Sequence, residues 1–240
     1  MTVVKEVGVQ SYTYRKFPVR QVADQLKAIG AQAAEVWDGH LPAETADDEV
    51  QSVLEHFRKQ GVRICGYGVV WLGSPAVVQK VLPFAKRLGV DYVSIDVNPN
   101  DEATQEEAVR LAQELGLRLA IHNHGPGHAY STPDKVQAVV SRYPEVLGAC
   151  IDTGHYLRSN VDPLEAVRSL GSRVYAVHLK DFIDEKTEVQ PGKGRLDLPA
   201  VVSALKQLHF ASAYVIEYEA DPADPSPAVQ PVVAQVKALL

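Results

Sequence analysis

The chain is poor in cysteine, in positive charge and in long apolar runs, and each shortage excludes a class of protein. Two cysteines in 240 residues cannot build a disulfide framework. Both Cys65 and Cys150 fall inside apolar runs (ValArgIleCysGly and GlyAlaCysIleAsp), where a free thiol behaves as a small buried hydrophobe. No window approaches the roughly 18 consecutive apolar residues of a membrane span. The amino-terminal MetThrValValLysGluVal lacks a cationic segment followed by an apolar one, so no secretory leader or membrane contact is expected and the protein reads as cytoplasmic. Basic residues are scattered and outnumbered, 24 Lys and Arg against 30 Asp and Glu for a net charge of −6, which argues against nucleic acid as a partner. Glycine is absent from the first turn, SerTyrThrTyrArgLysPhePro, where a doubly wound sheet carries its phosphate-binding glycines.

What remains is ample for one large core: 46% of the residues are hydrophobic and 22% charged. Short β-rich runs alternate with helical patterns, the signature of a parallel sheet. Strands are expected at Val7–Tyr12, Ala33–Trp37, Val62–Tyr67, Tyr92–Val97, Arg118–Asn123, Ala149–Asp152, Val174–Leu179 and Tyr214–Tyr218. Helices are expected at Val19–Ile29, Glu49–Gln60, Pro75–Leu88, Thr104–Leu115, Pro133–Arg142, Pro163–Leu170, Pro199–Leu208 and from Ser226 to the end. Several open with proline in the first turn, and Gly30, Gly61, Gly89, Gly116 and Gly171 follow as stops. Eight repeats of about 30 residues predict a single-domain (β/α)8 TIM barrel over residues 1–240. The longest irregular stretch, Asp181 to Leu198, reads as an active-site loop.

In such a barrel the carboxyl ends of the strands share one mouth, so polar residues there are the chemical candidates. They are Glu35 on strand two, His122, Asn123 and His124 on strand five, Asp152 and His155 on strand six, His178, Lys180 and Asp181 on strand seven, and Glu217 and Glu219 on strand eight. An ionisable group at the end of a run such as TyrValIle is costly to bury alone and must be paired or bound to a cation. Asp152, His178, Glu217 and one of the strand-five histidines, His122 or His124, offer a mixed nitrogen and oxygen set that suits one divalent ion such as Mn, Zn, Co or Mg. Each residue alone is more simply a hydrogen-bonded core or loop group, but four consecutive strands deliver one at the same end. Lys180 and Asp181 also fit an ion pair at the rim, and Glu219 reads as a rim residue. Gly192–Arg195, GlyLysGlyArg, fits either a cradle for phosphate or carboxylate or a solvated turn.

AspThrGlyHis, ValHisLeuLysAsp, ProGlyLysGlyArgLeuAspLeuProAla and ValIleGlu occur in the order seen in the xylose isomerase-like barrel superfamily, and the chain resembles its sugar phosphate isomerase/epimerase group. The likeness implies a metal held at the ends of strands five to eight by His122, Asp152, His178 and Glu217. Where related epimerases carry a glutamate on strand five, this chain has HisAsnHis, as inosose-dehydratase-like members do. The implied chemistry is deprotonation beside a carbonyl of a small sugar or sugar phosphate, with an enediolate that is re-protonated in isomerisation or epimerisation, or that loses a hydroxyl in dehydration. Glu217, His155, Lys180 and His124 are then the acid and base candidates, and Glu35, His128, His155 and Arg195 the substrate contacts. Association into a homo-oligomer is compatible with this reading. Nuclease activity, known in the same superfamily, needs further histidine ligands on strands two to four that this chain lacks. A barrel that binds a sugar without turning it over is the non-enzymatic alternative.

Overall fold

The computed structural model describes residues 6–240; Met1 to Lys5, within the segment read above for a leader, lie outside the described residues. In chain order the elements are β1 (Val7–Gln10), α1 (Val19–Ala28), β2 (Ala33–Val36), α2 (Asp47–Gln60), β3 (Arg63–Trp71), α3 (Pro75–Leu88), β4 (Tyr92–Asp96), α4 (Glu102–Leu115), β5 (Leu119–His122), α5 (Pro133–Val140), β6 (Leu147–Asp152), α6 (Thr153–Arg158), α7 (Pro163–Leu170), β7 (Val174–Leu179), β8 (Asp181–Phe182), β9 (Glu188–Val189), α8 (Leu198–Gln207), β10 (Tyr214–Ile216) and α9 (Ser226–Leu239). Strands β1 to β7 and β10 close into a parallel barrel in which β10 fills the gap between β7 and β1. The eight strands and eight helices expected from the pattern are present, with ends shifted by a few residues.

Five short elements escape the pattern. Helix α6 is opened by the Asp152 carboxylate, and 3-10 turns cover Ser11–Tyr14 and Gly171–Arg173. The stretch from Asp181 is not all irregular, since β8 and β9 pair antiparallel into a small hairpin over the mouth side of β7.

Alternation toward the carboxyl ends of β5, β6, β7 and β10 positions the site, beyond the register shift where β6 meets β7 at Ala149 and Cys150. Along β5, β6, β7 and β10 the sequence runs LeuAlaIleHis, AlaCysIleAsp, TyrAlaValHis and TyrValIleGlu. The aliphatic members Ile121, Ile151, Val177 and Ile216 join the large core between barrel and helices. The small alternate members Ala120, Cys150 and Ala176 pack together inside the barrel with Tyr92, and Val215 with Ala33 and Cys65. Each polar residue is the next one up on that inner face, so the barrel changes from small apolar side chains to charged ones over one strand step. Both thiols are free and buried. Left-handed glycines Gly61, Gly89 and Gly116 end α2, α3 and α4, where a Cβ would be strained. Among the described residues no helix is long and apolar enough to cross a membrane.

The interior tolerates little added volume at Gly148 of β6. A Cβ there would lie 2.4 Å from the Tyr175 ring and 2.5 Å from the Arg173 carbonyl oxygen. Gly148→Ala is expected to cost about 1–3 kcal/mol through overpacking, lowering the Tm by roughly 2–10 °C for a chain of this size; an unchanged melting curve would show that this packing does not exist.

Candidate metal centre at the mouth of the barrel

Glu35 of β2 lies at the centre of the barrel with no solvent exposure, and four groups from three strands donate to its carboxylate. Gln10 Nε2 of β1 is 2.9 Å from Oε1, and the Ser94 hydroxyl of β4 is in close contact with the same oxygen. Tyr92 of β4 reaches Oε2 at 2.5 Å, and His178 Nε2 of β7 reaches it at 2.8 Å. Burial pushes this carboxyl pKa up, but His178, Ser94 and Tyr92 outweigh it and hold it below the ordinary value. Glu35, expected as a substrate contact, is therefore a support whose acceptor sites are spent.

The His178 proton on Nε2 is committed to Glu35, which leaves Nδ1 facing the mouth. Nδ1 lies 3.1 Å from His122 Nε2 and 3.1 Å from Glu217 Oε2, and His122 Nε2 lies 3.7 Å from Asp152 Oδ2. One ligand atom from each of His122, Asp152, His178 and Glu217 falls within 4.8 Å of all the others, and all four residues are buried. Asp152 Oδ2 has no hydrogen-bond partner among the described residues, although it is buried. Burial disfavours charge on Asp152 and Glu217, yet His155, His122 and Lys180 hold Asp152 well below the usual carboxylate range, and Lys180 and His178 bring Glu217 down to about 2. His178 is opposed by burial but pushed well above its ordinary value by Cys150, Glu35 and Glu217. Two ionised carboxylates and two imidazoles converging on one point, one oxygen of them unpartnered, are the donor set a divalent cation requires, and ligation replaces the proton that His178 otherwise holds there. Cys150 forms a smaller, three-residue set with the same histidines, and burial pushes its thiol up to about 12; the four-residue set offers one donor more and two carboxylates already ionised.

The AspThrGlyHis motif builds this arrangement residue by residue. Asp152 Oδ1 accepts from the His155 backbone N–H at 2.7 Å, capping α6 and aiming the free oxygen Oδ2 at the cluster. Thr153 Oγ1 donates to the Lys180 carbonyl at 2.6 Å and accepts from the Lys180 N–H at 2.9 Å, tying β6 to the end of β7. At Gly154 a Cβ would meet Lys180 Cγ at 2.8 Å. From β5, the Asn123 side chain brackets the Asp152 main chain, donating to its carbonyl at 2.9 Å and accepting from its N–H at 2.8 Å.

The remaining candidates divide. His124 lies one strand step above His122, its ring 4.7 Å away, and falls outside the four-residue set in which it was an alternative ligand. It stacks on His155 at 5.6 Å, and burial pushes the two rings down to about 3 and about 4, so both are neutral. His155 Nδ1 accepts from Arg158 at 3.3 Å, which leaves its proton on Nε2. Lys180, expected as an acid in contact with substrate, is buried in an ion pair with Glu219, with Glu217 Oε1 4.0 Å away. It does not pair with Asp181. His128 does not line the mouth cavity but pairs with Asp96 at 3.2 Å. Arg195 donates to the Leu157 carbonyl at 2.7 Å and the Phe182 carbonyl at 3.4 Å, which keeps it out of the cavity as well.

The GlyLysGlyArg loop is a cradle for an internal anion. Asp181 Oδ2 accepts from the N–H groups of Gly192 at 3.0 Å and Gly194 at 2.8 Å, and Oδ1 accepts from Phe182 at 2.8 Å and Leu196 at 2.9 Å. A phosphate has no place there.

Above the cluster is a cavity of about 200 Å³ lined by Gln10, Tyr12, Trp37, Val69, His122, His124, His155, Glu217 and Glu219. Larger clefts, such as one of about 410 Å³ at the opposite end beside Arg118 and Tyr175, lack the converging imidazoles and carboxylates. Gln10, Tyr12, Trp37 and Val69 escaped the sequence reading, although Gln10 and Trp37 end or follow β1 and β2 and so carried the same strand-end signal as the ionisable residues.

Residues 23–239 match the model of the xylose isomerase-like TIM barrel family. Over 208 residues the chain is 27% identical to the rhizopine catabolism protein MocC of Rhizobium meliloti, covering 78% of this chain and 62% of that protein. Over 136 residues it is 28% identical to the inosose dehydratase of Bacillus cereus strain AH820, covering 49% and 46%. The chain thus spans less than two thirds of the length of these curated relatives. Among solved structures it resembles D-psicose 3-epimerase in the presence of D-fructose, with a TM-score of 0.79 and 17% identity over 98% of this chain and 99% of that one. It also resembles the IOLI protein with a zinc atom, with a TM-score of 0.77 and 17% identity over 98% and 96%. At these identities the structural likeness concerns the fold. The family match runs through every strand that carries the cluster, and the chain belongs to the xylose isomerase-like TIM barrel family.

Proposed function

We propose that this chain is a metal-dependent enzyme that enolises a small uncharged keto-sugar or keto-polyol. The observation that carries the reading is the convergence of His122, Asp152, His178 and Glu217 at the floor of a monosaccharide-sized cavity. When bound there, a divalent cation polarises a substrate carbonyl and acidifies the neighbouring C–H. Glu217, ionised and lining the cavity, accepts that proton, and Lys180 behind it keeps a positive charge against its other oxygen. On the β5–β6 side His155 presents Nε2–H to the cavity, placed to donate toward a substrate oxygen. Tyr12 and Trp37, packed edge to face at 4.9 Å, supply an apolar wall for a sugar ring.

Among the described residues no lysine or arginine lines the cavity, Glu217 and Glu219 make it acidic, and the nearby glycine-rich loop is filled by Asp181. These features disfavour a phosphorylated substrate. Re-protonation of the enediolate gives isomerisation or epimerisation. The dehydratase reading has its own support: β5 ends in His122 where a two-carboxylate epimerase needs a second base, and inosose dehydratases are among the sequence relatives.

Asp152→Asn is expected to abolish the equivalent of metal held by the four-residue set, and Glu35→Gln to weaken it by about 10–100-fold in competition with a chelator by releasing the His178 ring. Metal content by elemental analysis that matches wild type in both variants would dismiss the site. In D₂O the metal-loaded enzyme should label at least one of a panel of ketoses and keto-inositols at the carbon beside the carbonyl, with the phosphate ester of the same sugar labelled more slowly and labelling lost in Glu217→Gln. Turnover of a panel member by hydride transfer without exchange would rule out the enolising reading.

A further inference from the structure

A second group of side chains able to ligate a metal stands beside the first and shares no residue with it. Asp96 closes β4, while His124 and His128 lie in the loop after β5, and one ligand atom from each falls within 4.8 Å of the other two. His128 Nε2 is 3.2 Å and His124 Nδ1 3.9 Å from Asp96 Oδ2, and the two rings lie face to face with centroids 4.3 Å apart. Two polar atoms of this group are buried without a hydrogen-bond partner among the described residues, His124 Nδ1 and Asp96 Oδ1. At 3.9 Å His124 Nδ1 is too far from the carboxylate for a hydrogen bond and well placed for both to reach an ion between them. A cation between the Asp96 carboxylate and the two rings would give the orphaned His124 nitrogen a partner and engage a carboxylate whose other oxygen, Oδ1, is also unpartnered.

We propose that Asp96, His124 and His128 hold a second divalent transition-metal ion, distinct from the one at the floor of the barrel. Two imidazoles and a carboxylate are a donor set for zinc, cobalt or manganese, and three protein ligands leave a coordination position open. His124 lines the mouth cavity, so that position is reached from the substrate side. Charge also permits a second ion, because Glu35, Asp96, Asp152, Glu217 and Glu219 outnumber the nearby permanent cations Lys180, Arg15 and Arg158. Tyr130 N–H donates to His128 Nδ1 over 3.3 Å, so ligation through Nε2 transfers the ring proton to Nδ1 and sacrifices that long bond. The competing account of the same geometry is a plain hydrogen bond from His128 to Asp96 with no ion.

The full chain, stripped with chelator and dialysed against Zn²⁺ or Co²⁺ alone, decides between them. Two equivalents are expected in the wild type by elemental analysis. Asp96→Asn and His128→Gln should each lose one equivalent and keep the other, while Asp152→Asn should lose one and keep the Asp96 site. In the Co²⁺ form, the second equivalent should add visible absorption bands that are missing from Asp96→Asn and His128→Gln. A wild type that saturates at one equivalent overturns the proposal without recourse to any variant, as does retention of two equivalents in both Asp96→Asn and His128→Gln. The Asp152→Asn arm separates this site from the floor site: one equivalent retained in Asp152→Asn and lost when Asp96→Asn is added shows the second site independently of the first, whereas no equivalent retained in Asp152→Asn overturns it.

Discussion

A single buried carboxylate organises the mouth. Glu35 reaches across the interior from β2 to meet donors from β1, β4 and β7, and the last of these, His178 Nε2, sets the tautomer of a ring whose other nitrogen joins the cluster. A lone carboxylate at this depth would be strongly disfavoured, and it is tolerated because every acceptor position is filled and one donor is an imidazole that can carry charge. The same bonds hold four strands in mutual position. Geometry at the floor therefore depends on a fully buried residue that does not line the cavity above it.

The charges are layered. Lys180 lies between Glu217 and Glu219, Glu188 of the β8–β9 hairpin accepts from the Glu219 backbone at 3.0 Å, and burial, only partly offset by Lys180, pushes the Glu188 carboxyl up to about 7. The hairpin thereby closes the β7–β10 flank of the mouth with a set of carboxylates around one ammonium. The β5–β6 flank is built instead from neutral imidazoles, His124 and His155, stacked on each other. A ligand seated between the flanks meets an acidic wall on one side and an imidazole wall on the other, with Tyr12 and Trp37 as the apolar surface.

Motifs that look like ligand sites in sequence serve different ends in space. The GlyLysGlyArg loop has the N–H groups of an anion nest, and the chain fills it with its own Asp181, which anchors the loop between the hairpin and α8. Arg195, freed from that role, hydrogen-bonds backbone carbonyls of Leu157 and Phe182. In AspThrGlyHis, by contrast, each residue serves the centre, through a cap, a strand tie and a close approach that only glycine allows.

The barrel was legible in the order of residues because a parallel strand buried on both faces must be apolar, helices must start and stop, and both signals are local. The convergence of these four residues was legible for the same reason: LeuAlaIleHis, AlaCysIleAsp, TyrAlaValHis and TyrValIleGlu place a polar residue at one height on four strands, and alternation at the strand ends puts them on the inner face. What the order of residues left open was which polar groups meet. Whether Glu35 contacts substrate or His178, whether Asp181 pairs with Lys180 or with a glycine loop, and whether His124 joins His122 or Asp96 depend on contacts between residues 11 to 143 positions apart. Those distances are set by barrel closure, strand stagger and loop packing, and a side chain's partner in a shared mouth is decided only when all eight strands are in place.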